Sequence, residues 1–246
     1  MAGISKGVIV AAGLGARLQQ LGNGNEEIIK PLQPIGGKPL LQYVIQGAAA
    51  AGLKEIIIVT GFGAASVDAW LAKTQLPVKV RTVFNKDYRL SNGISLLKGG
   101  EAAGEDFVLL MSDHLFQPAI LRDMLTRPLG EDLARLAVDQ KIDAVFDLDD
   151  ATKVQLYGDR IVSIGKGLEE YNAVDCGIFQ ISQRLIRLMA GIVEEEGDLS
   201  ISRGMDIAIS HKAMGYHDIG RLLWQDVDTI EMFHKAEQML KTGLFN

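Results

Sequence analysis

The sequence predicts an α/β protein, in which helices cover both faces of a mostly parallel, mixed sheet. Short apolar runs alternate along the chain with amphipathic segments, as expected for parallel strands that are connected by helices. Hydrophobic residues make up 48% and charged residues 23% of the 246 positions, which is a usual globular balance. This length is enough for one large domain with a sizeable core.

The first half of the chain supplies most of the predicted sheet. Its apolar runs, rich in β-branched or long aliphatic residues, predict buried strands over 8–12, 56–60, 78–84 and 107–111. Amphipathic segments between them predict helices over 39–51, 64–73 and 91–103. The first helix begins at Pro39, whose fixed φ suits a first turn, and ends before Gly52.

The second half has weaker patterns. They first predict a helix over 120–136 that breaks near Pro128, and then a strand over 144–148. A hairpin follows, in which 153–156 pairs with 160–164 around Gly158. After it come a strand over 176–181 and a helix over 185–195. A last amphipathic helix follows Asp228, which forms a capping-box pattern with Glu231. Together these elements predict a single Rossmann-like domain.

Composition excludes several classes of function. With 25 Lys and Arg against 31 Asp and Glu, the net charge of −6 argues against nucleic acid or an anionic membrane as the main partner. No apolar run reaches the roughly 18 residues of a membrane span, and the N-terminus lacks a signal-peptide pattern. The one cysteine, Cys176, cannot form an internal disulfide, so we expect a cytoplasmic protein.

A glycine-containing loop follows the first predicted strand directly. Ala11, Ala12, Gly13 and Gly15 would let backbone N–H groups face a phosphate chain with little side chain in the way. The dinucleotide-binding pattern fails because Leu18 stands where a third glycine is required. From spacing alone, a phosphate loop and an ordinary strand-to-helix turn are equally good interpretations.

A second candidate segment, Ser112-Asp113-His114, closes the predicted strand over 107–111. A carboxylate at the carboxyl end of a parallel strand lies where α/β sheets bind ligands, and it suits Mg²⁺. The alternative for Asp113 is a turn or helix-cap aspartate. A lone histidine beside such a residue is more often a packing or hydrogen-bonding residue than a ligand.

The loop over 8–18, VIVAAGLGARL, together with the following Lys30-Pro31-Leu32, resembles the signature of the sugar-phosphate nucleotidyltransferase superfamily, which has a GT-A-like fold. The resemblance implies that the loop wraps a nucleoside triphosphate, whose charge Lys30 and Arg17 neutralise. A compact ammonium suits a phosphate whose charge grows during transfer. The alternative for Lys30 is a solvated loop lysine.

The resemblance also implies a metal site, for which we expect Mg²⁺. Asp113 matches the metal-binding aspartate of the superfamily, and the segment WQDVDT over 224–229 resembles its second metal-binding segment. If this segment is extended, Asp226 and Asp228 point to the same side. Because Asp228 has a strong alternative as a helix N-cap, Asp226 is the better ligand candidate, and Asp218 is an outside candidate.

Further segments resemble the superfamily's substrate-binding positions. The implied contacts to the nucleotide are Gly61, Asn92 and Ser112, although Ser91 beside Asn92 is equally well explained as a helix N-cap. The implied contacts to the acceptor are Lys166, which would meet its phosphate, and Asp175, which would meet its hydroxyls, with His114 as a secondary candidate.

The segments SNGISL, SDHLF, GKGLEEYNAVDCGIF and WQDVDT look most like inositol-1-phosphate cytidylyltransferases. The resemblance implies that CTP and 1L-myo-inositol 1-phosphate give CDP-inositol and diphosphate by in-line attack on the α-phosphorus. Alternatives are a choline-phosphate cytidylyltransferase, a sugar-1-phosphate nucleotidyltransferase and, in another class, a non-catalytic nucleotide-binding module. A nucleotide-sugar glycosyltransferase would normally carry Asp-x-Asp where this chain has Asp113-His114-Leu115.

The expected organisation is one nucleotidyltransferase domain over 1–246, with a core of about 1–115 and 200–246 and an acceptor-binding portion of about 116–199. Its expected partners are CTP and a phosphorylated polyol or alcohol, and a homodimer is left open. Many members of the family that it resembles are fused to a membrane-embedded alcohol phosphotransferase domain. Because this chain ends at Asn246 without one, we expect a stand-alone enzyme.

Overall fold

The computed structural model describes residues 3–15, 17, 28–243 and 245. The strands in this part of the chain are β1 (Lys6–Ala11), β2 (Pro34–Ile35), β3 (Lys38–Pro39), β4 (Glu55–Thr60), β5 (Lys79–Phe84), β6 (Phe107–Met111), β7 (His114–Phe116), β8 (Ala134–Asp139), β9 (Lys153–Tyr157), β10 (Arg160–Gly165), β11 (Ala173–Ile181), β12 (Met214–Asp218) and β13 (Trp224–Asp226). The α-helices are α1 (Leu40–Ala51), α2 (Ala64–Leu71), α3 (Asn92–Ala103), α4 (Pro118–Leu125), α5 (Gln183–Glu196), α6 (Ile201–Ser210) and α7 (Ile230–Lys241).

The main sheet has the strand order β5-β4-β1-β6-β11-β8-β12-β10-β9. Strands β5, β4, β1 and β6 are parallel, so the first half of the chain forms the parallel part of the sheet as predicted. From β11 onward the sheet is mixed, because β11 runs antiparallel to both β6 and β8 while β12 is parallel to β8. The α/β class with a mixed sheet is confirmed, and the ends of β1 and β6 share one edge.

Side chains of β1 alternate between two hydrophobic cores, one on each face of the sheet. Val8 packs with residues of α3, α5 and α6, whereas Ile9 packs with residues of α1 and α4. Because β1 is covered on both faces, its apolar run is continuous rather than alternating with polar residues. Each fully buried aliphatic side chain of this kind contributes about 1.5–3 kcal/mol to folding.

Helix α3 lies unusually close to the sheet at Gly99. A Cβ atom at this position would lie 2.3 Å from Cγ1 of Val8 and 2.9 Å from Cγ2 of Val59. Only glycine leaves room for this approach. The contact fixes the start of α3, and therefore Asn92, near the carboxyl edge of the sheet.

Several predicted boundaries are confirmed. Helix α1 ends at Gly52, which adopts the left-handed conformation with φ of 113°. The hairpin of β9 and β10 turns at Gly158, where φ is 59°. Cys176 is fully buried in β11, and burial raises the pKa of its thiol well above the usual value.

Other predictions are wrong. Helix α4 ends at Leu125, and the end of the segment predicted as a helix over 120–136 is the start of β8. Pro128 and Gly130 lie in the connection between α4 and β8. Because β8 is buried on both faces, its apolar run lacks the alternation that marks a strand. The strand predicted over 144–148 is absent: a 3-10 turn over Ile142–Ala144 leads into a loop instead.

The capping box predicted at the last helix is also wrong. Helix α7 is capped by Thr229, whose hydroxyl oxygen accepts a hydrogen bond from the backbone N–H of Met232 at 3.3 Å. Asp228 lies one residue before the cap and is therefore available for other contacts.

The predicted division into a core and an acceptor-binding portion stays a prediction. Strands from both portions lie side by side in the main sheet, since β11 pairs with β6 and β12 pairs with β8.

Across the described ranges, no helix is both long enough and apolar enough to cross a membrane.

Candidate active site

The loop after β1 brings Gly15 against Lys30. Gly15 has φ of 59°, and a Cβ atom there would lie only 2.7 Å from Cβ of Lys30. Both the positive φ and the close approach require glycine. Lys30 itself opens a 3-10 turn, Lys30–Leu32, with Pro31 at its first turn, so the lysine is held beside the loop as the sequence predicts.

The ammonium group of Lys30 bridges two carboxylates, donating hydrogen bonds to Oδ2 of Asp113 and to Oδ1 of Asp228. Only 11% of the Lys30 side chain is exposed. Burial lowers the pKa of this lysine, but the two carboxylates outweigh that effect, so its pKa is raised above the usual value. Lys30 is therefore a permanent cation between two anions.

A small antiparallel pair of strands carries the carboxylates to one place. In β7 and β13, His114 lies opposite Asp226, and the N–H of Val227 donates to the carbonyl of Asp113 at 3.0 Å. This pairing positions Asp228 next to Asp113, although the two are far apart in sequence.

His114 fixes the orientation of Asp113. Its Nδ1 lies 2.7 Å from Oδ1 of Asp113, and its ring stacks on Trp224 with a centroid distance of 5.8 Å. Gly177 leaves room for the ring, because a Cβ atom there would lie 2.4 Å from Cδ2 of His114. Burial lowers the pKa of His114, but the hydrogen bond to Asp113 and the negative charges of Asp113, Asp226 and Asp175 together outweigh it and raise that pKa to about 9.

The predicted metal ligands are only partly brought together. Asp113 and Asp228 converge on one cation, the Lys30 ammonium, and hard carboxylate oxygens that share a cation suit a divalent metal. Asp226 lies beside them, but its Oδ1 accepts a hydrogen bond from its neighbour Gln225 at 3.1 Å, and burial raises its pKa. Among the residues that the structure describes, no three His, Cys, Asp or Glu side chains are arranged to hold a metal.

Arg17 and Lys166 are joined to this pair by further ion pairs. Arg17 donates from Nη2 to Oδ2 of Asp228 at 2.7 Å and from Nη1 to Oδ2 of Asp150 at 2.5 Å. Lys166 donates from Nζ to Oδ1 of Asp150 at 2.6 Å. The three cations predicted to bind phosphate thus alternate with three carboxylates.

A cavity of about 350 Å³ lies at the carboxyl ends of β1 and β6. It contains most of the positions predicted to bind the nucleotide: Ala11, Ala12, Gly13, Gly15, Arg17, Lys30, Asn92 and Ser112. Asp113 and Asp228 also line it. A wall of small residues and backbone with two cations suits a triphosphate.

A second cavity of about 230 Å³ adjoins the first. It contains the positions predicted to bind the acceptor: His114, Lys166 and Asp175, together with Asp226. Burial raises the pKa of Asp175 to about 6, although a hydrogen bond from the N–H of Gly177 at 2.6 Å opposes the shift. Asp113, Asp228 and Asn92 line both cavities, so the two spaces meet at the carboxylate pair.

Two predicted nucleotide contacts lie differently from their expected positions. Gly61 is behind Tyr88 rather than at the cavity surface, since a Cβ atom on Gly61 would lie 2.4 Å from Cβ of Tyr88. Asn92 lines the cavity, but its Oδ1 already accepts a hydrogen bond from the N–H of Ile201 at 2.9 Å. Ser91 occupies the N-cap position of α3 without capping it, because its hydroxyl donates to Asp198 at 2.8 Å.

Tyr88 and Asp150 are among the residues of the site that were missed from the sequence. Tyr88 lines the first cavity, and the only signal for it was an aromatic residue between two candidate base-contacting segments. Asp150 lines the second cavity, and its signal was the acidic run over 147–150, which lay in and beside a wrongly predicted strand.

Comparison with known proteins identifies the family. Residues 7–161 match the model of the MobA-like NTP transferase domain. The chain is 33% identical over 237 residues to a bifunctional IPC transferase and DIPP synthase of Rubrobacter xylanophilus, covering 94% of this chain and 51% of the relative. A protein of the same name from Aquifex aeolicus is 29% identical over 244 residues, covering 98% and 53%. The chain spans about half the length of these curated relatives.

Solved structures share the fold over nearly the whole chain. The inositol-1-phosphate CTP transferase from T. maritima superposes with a TM-score of 0.84 at 24% identity, covering 98% of this chain and 96% of that one. A UDP-glucose pyrophosphorylase in complex with UDP-glucose superposes with a TM-score of 0.80 at 18% identity, covering 98% and 99%. The nucleotidyltransferase resemblance and the GT-A-like fold stated from the sequence are thereby confirmed.

Proposed function

The chain belongs to the MobA-like NTP transferase family and is a nucleotidyl-transferring enzyme, and from that premise we propose that it is a Mg²⁺-dependent cytidylyltransferase. Its proposed reaction joins CTP and 1L-myo-inositol 1-phosphate to form CDP-inositol and diphosphate. Support for this base and this acceptor comes from the relatives named IPC transferase and from the fold shared with an inositol-1-phosphate CTP transferase.

The observation that carries the proposal is the pair of adjoining cavities that meet at Asp113 and Asp228. The first has the cations Lys30 and Arg17, and the second has Lys166. Two anionic substrates held there would meet end to end at the carboxylate pair. This arrangement favours transfer between two phosphates over binding of a single nucleotide.

In the proposed mechanism, an oxygen of the acceptor phosphate attacks the α-phosphorus of CTP. A new P–O bond forms there, and the bond from the α-phosphorus to the oxygen leading to the β-phosphate breaks, so diphosphate leaves with that electron pair. The attacking oxygen is already anionic, so no proton has to be removed. Lys30 and Arg17 neutralise the departing diphosphate and Lys166 orients the acceptor, so positioning and charge carry the catalysis.

Enzymes of this family generally use a divalent metal, and we propose Mg²⁺ held by Asp113 and Asp228, with Asp226 as a neighbouring carboxylate. When bound, the ion would supply positive charge to the phosphate oxygens of the nucleotide. In the protein by itself the ammonium of Lys30 uses two of its three N–H groups for these carboxylates, so a metal ion bound by the same carboxylates would compete with it.

The test is diphosphate release from each of the four NTPs with a panel of inositol, choline and hexose phosphates, in the presence of Mg²⁺. We expect release only with CTP and inositol 1-phosphate. Lys30→Ala, purified in parallel, controls for contaminating transferases and phosphatases.

Other outcomes identify the alternatives. Release with choline phosphate would indicate a choline-phosphate cytidylyltransferase, and release with UTP or dTTP and a hexose phosphate would indicate a sugar-1-phosphate nucleotidyltransferase. No release with any pair, combined with nucleotide binding, would favour a non-catalytic binding module.

A further inference from the structure

Asp150 connects the two cavities. Its Oδ2 accepts a hydrogen bond from Arg17 at 2.5 Å, and its Oδ1 accepts one from Lys166 at 2.6 Å. Arg17 belongs to the first cavity and Lys166 to the second. We propose that the Asp150 carboxylate is an internal substitute for substrate phosphate, which occupies both cations in the empty enzyme and competes with both anionic substrates. The proposal rests on the proposed function, which assigns these cations to phosphates.

The carboxylate is held in place from its own loop. The N–H of Asp150 donates to Oδ1 of Asp147 at 3.3 Å, and Nζ of Lys153 donates to the carbonyl of Asp149 at 3.4 Å. Burial raises the pKa of Asp150, but the hydrogen bonds from Lys166 and Arg17 outweigh it, so that pKa is below its usual value. The group is therefore anionic at neutral pH, as a phosphate is.

The pattern of ion pairs explains why Asp150 competes rather than assists. Each oxygen of its carboxylate is used by one cation, and within the described ranges Asp150 makes no ion pair with any other residue. A phosphate that binds Arg17 or Lys166 must displace Asp150 from that cation or share the cation with a like charge. Asp228 differs in this respect, because it also faces Lys30 in the proposed metal site.

A single residue that serves both cavities has a recognisable effect. A group that contacts only the acceptor would change acceptor binding alone. A group that merely keeps Arg17 and Lys166 in position would weaken binding when removed. Removal of a competing carboxylate strengthens the binding of both anions, the one on the nucleotide side and the one on the acceptor side. Damage to the structure would not strengthen binding.

The experiment is isothermal titration of the full chain with inorganic pyrophosphate, CTP and inositol 1-phosphate, each alone. Asp150→Asn should lower the Kd for both pyrophosphate and inositol 1-phosphate by about two- to fivefold, which corresponds to about 0.4–1 kcal/mol and lies within the usual range for a partly exposed ion pair. Asp150→Glu keeps the charge and should stay near wild type. Asp149→Asn is the matched control, because it removes the same charge from an exposed neighbour in the loop.

Every result decides the matter. Binding that is unchanged or weaker in Asp150→Asn, or equally strengthened in Asp149→Asn, would overturn the inference and leave the proposed function intact. Tighter binding of one anion only would assign Asp150 to a single cavity and also overturn it. If the wild-type enzyme bound neither CTP nor inositol 1-phosphate, the proposed function would fail, and the inference with it.

Discussion

Lys30 places a cation between the carboxylates of Asp113 and Asp228, the position where a divalent metal is proposed to bind. The chain thereby neutralises two partly buried anions in the protein by itself, and an uncompensated pair would be costly. Gly15 makes this possible, because any larger residue would meet Cβ of Lys30. The same lysine is proposed to contact the departing diphosphate, and two of the three N–H groups of its ammonium are used by the carboxylates in the protein by itself.

Lys30→Ala is expected to lower turnover by about 10²–10³, the usual loss when one pre-organised charge donor is removed from a transition state. The measurement is the steady-state rate of diphosphate release at saturating CTP and acceptor. Lys38→Ala is the matched control, since Lys38 is close in sequence but lies in β3, away from both cavities. Wild-type turnover in Lys30→Ala would contradict the assignment.

Asp175 is expected to make acceptor binding depend on pH. Because burial raises the pKa of this carboxyl to about 6, it is largely protonated at a pH of about 5 and ionised at about 7. Only the ionised form accepts hydrogen bonds with both oxygens, so KM for the acceptor should fall as pH rises through this range.

The acceptor phosphate also titrates near 6, so the informative quantity is the ratio of KM between Asp175→Asn and wild type. We expect this ratio to increase with pH. A ratio that stays constant would show that the substrate alone causes the pH dependence.

At the scale of elements, α3 forms part of the wall of the first cavity, through Asn92 and Ser95. Two of the close contacts that its glycines allow are Gly99 against Val8 and Val59 of the sheet, and Gly93 against the carbonyl of Leu199, which a Cβ atom would approach to 2.3 Å. The second contact joins the start of α3 to the segment before α6. Asn92 is therefore held by the contacts of α3 with the sheet and by the hydrogen bond that its Oδ1 accepts from the N–H of Ile201.

Gly99→Ala is expected to destabilise the protein by about 1–3 kcal/mol, because the added methyl group would be forced into Val8 and Val59. The same substitution at Gly191, in the exposed middle of α5 with no atom near the added Cβ, should stabilise by about 0.5–1 kcal/mol. Urea denaturation of the two variants measures both values. Equal effects would mean that helix propensity, and not packing, determines the change in the free energy of unfolding at Gly99.

At the scale of the whole molecule, the two cavities and the ion pairs between them depend on segments from the entire chain. Arg17 and Asp150 are 133 positions apart, and Lys30 and Asp228 are 198 apart. Folding has to bring these groups together before any substrate binds, and within the described residues the three cations balance the charge of the three carboxylates with which they alternate. A homodimer, the cytoplasmic location and the division into two portions stay predictions at this scale.

The ion pairs of Lys30 lead to a prediction about the stability of the whole protein. Wild type should gain little Tm from millimolar Mg²⁺ without nucleotide, because its carboxylate pair already holds an ammonium. Lys30→Ala removes the ammonium that the two carboxylates share and leaves Arg17 on Asp228, so Mg²⁺ should raise the Tm of this variant by about 2–4 °C for each kcal/mol of binding energy. Differential scanning calorimetry with Mg²⁺ and with EDTA provides the comparison. An identical response of both proteins would show that Lys30 does not compete with the metal.

Local patterns were enough for part of the molecule. Apolar runs predicted the parallel strands β1, β4 and β6, because burial on both faces leaves a signal in adjacent residues. They also predicted β5, but as a buried strand, whereas β5 is the outermost strand of the main sheet and its residues are half-buried or exposed. The glycine loop with Lys30 and the strand-end Asp113 could be found in the same way, since each is a short segment with its own chemistry. The strand β8 is also buried on both faces, but it follows a helix, and an apolar run in that position does not reveal where the helix ends. This strand was therefore missed.

The sequence by itself therefore determined the α/β class, the family, and the cations and carboxylates of the candidate site except Asp150. The tertiary structure alone decided how they are paired. Asp228 rather than Asp226 faces Asp113 because Thr229 caps the last helix and β13 pairs with β7. Asp150 joins Arg17 to Lys166 because a loop after β8 reaches the sheet edge. Such contacts join residues that are distant in sequence, and their energies depend on distances that exist only after the chain has folded.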